Sequence, residues 1–149
     1  MNKFLIGLVL INLPLTVIAE VTVTNAWVKP TVPGQPVAGA YMTLLSDHDV
    51  NLISASSTVA KSAEIHEMSM TGNIMRMRQI KQLPLHAGKA VELAPGGFHI
   101  MLIDLHHQIN DGEIIPLKLV TEDKEGNKKT ISMNVKAKDV VDAKHNHRK

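Results

Sequence analysis

The chain has 149 residues, 16 Lys and Arg against 14 Asp and Glu, and no cysteine. That length suits one domain, and the near-balanced charge excludes the clustered basic face that nucleic acid calls for. The absence of thiols excludes a disulfide-held fold and a blue-copper electron-transfer centre, whose metal needs a Cys ligand.

Residues 1–19 read as a secretory signal peptide. Lys3 gives a short positive start, Phe4 to Leu15 an apolar run, and Val17-Ile18-Ala19 a small-residue exit. The run is too short to span a bilayer, and no later segment is apolar enough to do so. Export to the periplasm is the expectation, with the mature chain starting near Glu20. Dropping Lys3 leaves 15 basic against 14 acidic residues, a net charge of +1.

From Val21 onward the pattern is short strands of period two, separated by turn residues. Val21 and Val23 alternate with threonines, and Trp27-Val28 follow. Lys29 to Pro36 holds three prolines and a glycine and reads as a loop. Gly39 to Leu45 and Asn51 to Ser56 read as strands. Ala63 to Met68 and Ile74 to Ile80 flank Thr71-Gly72-Asn73, a hairpin signal. Ala90 to Leu93 ends at Pro95-Gly96-Gly97, and Phe98 to Leu105 is a strongly apolar strand. Ile114 to Thr121 and Lys129 to Lys136 pair across a turn at Glu125-Gly126-Asn127. No ordinary amphipathic helix and no repeat interrupts this series. The expected fold is an all-β, antiparallel Greek-key sandwich or barrel over residues 20–138, followed by a polar tail over 139–149.

The chemistry gathers on these strands. His66, Met77, His99 and Met101 supply two imidazoles and two thioethers. Thioether sulfur selects Cu(I), and imidazole suits copper too. A thioether has no proton to lose, so acid does not weaken its hold on metal as it weakens a thiolate's. His99 and Met101 stand two apart and share one strand face, while Ile100 and Leu102 point the other way, toward a core. In the hairpin, a turn on Thr71-Gly72 sets His66 opposite Met77; a turn on Gly72-Asn73 sets Met68 opposite Met77. Either register keeps His66, Met68, Met75 and Met77 on one face. Met68 and Met75 are therefore candidate accessory ligands, or else the hairpin's apolar cover. In the tail, His145 and His147 form a short His-x-His tract suited to weak Cu(II) capture. No G-x-S-x-G elbow, phosphate loop or H-E-x-x-H occurs, and the expectation is a protein that is not an enzyme.

This pattern resembles the periplasmic copper chaperone family written PCu(A)C. The resemblance rests on His66-Glu67-Met68, Met77 and His99-Ile100-Met101. It extends to Ala26-Trp27-Val28-Lys29-Pro30, Pro33-Gly34-Gln35, Ala38-Gly39-Ala40-Tyr41 and Leu93 to Leu102. It implies a cupredoxin-like β-sandwich that binds Cu(I) through His66, Met77, His99 and Met101. It also implies a monomeric carrier that supplies the binuclear copper site of cytochrome c oxidase, directly or through another periplasmic copper chaperone. Two rival readings share the sequence: a copper buffer or resistance protein without a dedicated acceptor, and a non-metal interaction module whose methionines form a contact patch.

Overall fold

The computed structural model describes residues 20–140. The expected signal peptide and the tail histidines His145 and His147 lie outside that range. Ten strands follow in chain order. They are β1 (Val21–Val28), β2 (Val37–Ser46), β3 (Val50–Ser56), β4 (Ala60–Thr71) and β5 (Ile74–Gln79). β6 (Leu83–Leu85), β7 (Val91–Leu93), β8 (Phe98–Leu105), β9 (Ile114–Asp123) and β10 (Lys128–Lys136) complete the set. No helix is present among the described residues.

One sheet runs in the order β1-β2-β7-β8-β4-β3-β9-β10, with β5 added beside β4 and β6 beside β3. β2 pairs with β8 as well as β7. The ends of this order meet: Val28 bridges Ala137, and the Lys138 N–H donates to the Val28 carbonyl at 3.0 Å. The sheet is thus rolled into a nearly closed barrel, which pairs the two end strands β1 and β10 and leaves β5 and β6 as short edges. The pairings among the described residues are antiparallel except the single Leu93–Phe98 pair of β7 with β8 and the Val28–Ala137 bridge, which are parallel.

Period-two alternation decides what the barrel encloses. Ala38, Ala40, Met42 and Leu44 of β2 are buried, as are Ile100 and Leu102 of β8 and Ile115, Leu117 and Leu119 of β9. Their neighbours in sequence face outward. Met42 is core filling, and Met133 packs partly buried against the same core.

The strands run longer than their sequence signals at several ends, and β6 carries too weak a signal to be read beforehand. It is three residues long with Pro84 at its centre and pairs with β3 alone. Proline has no N–H to give a ladder, so such a segment sits at an edge and lacks a strand's usual signature. The loop over 29–36 is pinned where β8 has already ended. Thr31 N–H donates to the Ile109 carbonyl, and Ile109 N–H donates to the Thr31 hydroxyl, each at 2.9 Å.

Candidate metal centre

β8, β4 and β5 lie side by side, and their registers set the site. His66 of β4 is directly opposite His99 of β8. The two ring centroids are 5.6 Å apart. One step along the same ladder, Met101 faces Glu64. On the other side of His66, Met68 faces Met77 of β5 and Met70 faces Met75. The Gly72-Asn73 turn is therefore the one adopted, with Gly72 at φ 62°, a left-handed conformation that glycine takes at no steric cost.

Facing residues of antiparallel strands share a face, so these side chains all project from the outer surface, opposite buried Ile65, Ile100 and Leu102. The structure brings His66 and His99 together. It sets Met101 and Met77 in the rows on either side of that pair. His99 is 5% exposed, whereas Met77 is 47% exposed. Among the described residues no three His, Asp or Glu side chains are placed to hold a metal. The further donors in the adjoining rows are the thioether sulfurs of Met101 and Met77.

Each histidine is locked by a hydrogen bond that settles which nitrogen is free. His66 Nε2 lies 2.7 Å from Glu64 Oε2. A carboxylate only accepts, so Nε2 carries a proton, and in the neutral ring the lone pair is on Nδ1. That Nδ1 is buried and has no hydrogen-bond partner. His99 Nδ1 lies 3.2 Å from the Gly97 carbonyl, so it donates there and leaves Nε2 with the lone pair. The same carbonyl accepts from the Met68 N–H at 3.1 Å, tying the β8 entry turn to the hairpin. Buried polar atoms are normally satisfied, so a buried ring nitrogen without a partner on a histidine whose ring lies 5.6 Å from a second imidazole marks this pair as a candidate ligand set.

Burial holds the His99 pKa below its ordinary 6.5; the Gly97 carbonyl opposes this, and the neighbouring His66 ring disfavours a second positive charge beside it. The neutral ring, the form that binds metal, is therefore favoured near neutral pH. A consequence for the metal-free protein follows from linkage. Below 6.5 the unfolded chain protonates His99, while the folded chain resists until its lower pKa is reached. In that window the unfolded state binds more protons, so stability must rise with pH. Thermal unfolding between pH 5.5 and 7.5 is expected to show this rise in wild type and a flatter profile in His99→Gln. Parallel profiles would assign the dependence to other groups.

Aromatic rings close the site on the β2 side. Tyr41 stacks against Trp27 with centroids 4.5 Å apart and reaches His99 at 6.2 Å. Burial raises the Tyr41 pKa, keeping the phenol neutral. Trp27 reaches this face through a β-bulge: Thr24 faces Thr43, but Trp27 faces Tyr41, so β1 spends one residue more than β2 between those pairs. Asn25 sits there at φ 53°, a region asparagine tolerates better than most residues. Gly39 leaves room for the Tyr41 ring. A Cβ on Gly39 would overlap the Tyr41 hydroxyl and lie 2.8 Å from Cζ.

Glu64, Gly39, Tyr41 and Trp27 thus join the site without having been assigned a role from sequence. For Glu64 the signal was present, since it stands two residues before His66 and shares its face. Other histidines pair elsewhere: His107 with Glu113 at 2.6 Å and His48 with Asp47 at 2.8 Å.

The chain is similar in sequence and fold to known proteins. A family model for LpqE-like lipoproteins matches residues 21–136. A lipoprotein of Leifsonia xyli subsp. xyli is 31% identical over 100 residues, 66% of this chain. The match takes in 60% of that relative, so the chain spans less than two thirds of its length. A copper-bound PCuAC domain from PmoF2 superposes with a TM-score of 0.60 at 22% identity, covering 79% of this chain and 93% of that one. The copper(I) form of DR1885 from Deinococcus radiodurans gives a TM-score of 0.56 at 26% identity, covering 80% of each chain. This chain belongs to the LpqE-like lipoprotein family, and its barrel has the fold of the PCuAC domains.

Proposed function

We propose that this protein is an exported copper chaperone, not an enzyme. It takes Cu(I) as cargo on His66, Met77, His99 and Met101 and hands it to an acceptor protein. The observation that carries this reading is the histidine pair. Two imidazoles face each other, each with one nitrogen committed to a hydrogen bond and one lone pair free, in a row flanked by methionines. The solved structures of copper-bound PCuAC domains and copper(I) DR1885 support it, as does the lipoprotein description of the family for export.

The mechanism follows from the ligands. Single bonds from thioether or imidazole to Cu(I) exchange one at a time. An acceptor with its own soft ligands can replace Met77 first, because it is the most exposed of the four, and His99 last, because it is buried. Glu64 keeps the His66 ring oriented while this happens. Release then runs down an affinity gradient without passing through free ion. The proposed compartment is the periplasm. The proposed acceptor is the binuclear copper site of cytochrome c oxidase or a chaperone that serves it. The tail histidines His145 and His147 are proposed as a weak Cu(II) collector. Truncation after Asp142 with unchanged Cu(II) stoichiometry would remove them from the scheme.

The test is competition of the mature chain with a chromophoric Cu(I) chelator, combined with long-range 1H–15N correlation of the histidine rings. One tight equivalent is expected, with the shifts concentrated on His66 Nδ1 and His99 Nε2. Failure to compete for copper would reject the chaperone and leave the interaction module. Tight binding in a strain whose oxidase assembles normally without the protein would favour buffering over delivery.

A further inference from the structure

The hairpin that carries Met77 holds more sulfur than the centre uses. The face it shares with His66 consists of His66, Met68 and Met70 on β4, opposite Gln79, Met77 and Met75 on β5. Four of the chain's eight methionines therefore line one side of a two-stranded ribbon, in two directly facing pairs. The reverse side is polar apart from Ile74, and Arg78 there holds Glu67 through Nε at 2.9 Å and a terminal nitrogen at 2.6 Å. The sulfur is segregated, not scattered.

Packing does not explain the outer pair. Methionine ordinarily fills gaps in a core. Met70 is 65% exposed and Met75 52% exposed, and β5 is exposed along its whole length. β5 pairs with β4 and adds nothing to the enclosed core. Facing residues in an antiparallel ribbon have Cβ atoms about 5 Å apart. Two flexible thioether arms can converge from that separation on one ion. Beyond His66, the hairpin part of this face carries no carboxylate, so hard divalent cations find no charged donor at the tip, whereas a soft d10 ion needs none.

We infer that the hairpin tip is a second soft-metal site, in which Met70 and Met75 hold one Cu(I) with Met68 and Met77 in the adjoining row. This inference rests on the copper reading above and extends it. The tip is where cargo lands or leaves, and the ladder leads from an all-thioether pair at the open end to the imidazoles at the covered end. Movement along it exchanges one Cu–S bond for another and changes no oxidation state.

The experiment uses Ag(I), a redox-inert d10 ion, titrated into the mature chain carrying 13C-methyl methionine. Two equivalents are expected. The first shifts the methyls of Met77 and Met101, and the second those of Met70 and Met75. Met70→Leu with Met75→Leu should reduce the stoichiometry from two to one while the His99 Nε2 shift persists. His99→Ala with Met101→Leu should retain the hairpin equivalent. A single equivalent that leaves the Met70 and Met75 methyls unmoved overturns the second site and spares the first. No binding in either place overturns both.

Discussion

The paired substitution His99→Ala and Met101→Leu is expected to lower Cu(I) affinity by at least about 100-fold while the barrel stays folded. Residues that only orient a metal ligand commonly change affinity by about 10- to 100-fold, so loss of two ligands should exceed that range. The fold should survive because neither side chain faces the enclosed core. Met101→Leu roughly conserves volume and should cost under about 1.5 kcal/mol. His99→Ala removes a donor to the Gly97 carbonyl, yet that carbonyl still accepts from the Met68 N–H at 3.1 Å, so no acceptor is orphaned. Chelator competition reads the affinity, and urea unfolding of the metal-free variant reads the fold. Wild-type affinity in the variant would take both residues out of the ligand set.

Leu102→Ala should do the reverse. Leu102 lies between Met101 and Ile103 on β8 but points into the barrel, where it is fully buried. Its cross-strand neighbours are Ala38 on β2 and Ala63 on β4. Two short side chains cannot move in to fill the space, so the cavity persists and the cost should fall in the upper part of the usual range of about 2–5 kcal/mol. Urea midpoints of the metal-free proteins measure it. Saturating Cu(I) should restore stability to wild type and variant by the same increment, because a ligand that binds only the native state stabilises it according to its affinity. A smaller increment in the variant would mean that the core and the outer face are energetically coupled through β8.

These two outcomes rest on the feature the sequence showed best. Alternation along Phe98 to Leu105 by itself separates outward-facing His99 and Met101 from core-facing Ile100 and Leu102. The all-β class and the shared face of the hairpin methionines were legible for the same reason. The hairpin register was not, because Thr71-Gly72 and Gly72-Asn73 are both chemically sound turns; the observed Met68–Met77 pairing chooses the second. The closeness of His66 and His99 was not legible either, since pairing between β4 and β8 depends on how the whole barrel closes. β6 escaped because Pro84 erases its signature.

The bulge at Asn25 has an implication for how such chains can change. A strand is read in a frame of two, and the extra residue shifts that frame partway along β1. Everything after it faces the side it would otherwise avoid, including the indole of Trp27 beside Tyr41. Paired without the bulge, the same sequence would point Trp27 inward, opposite Ala40, whereas deleting one residue between Thr24 and Trp27 would absorb the bulge and keep Trp27 opposite Tyr41. The cover over the histidines is thus specified by spacing as much as by residue type.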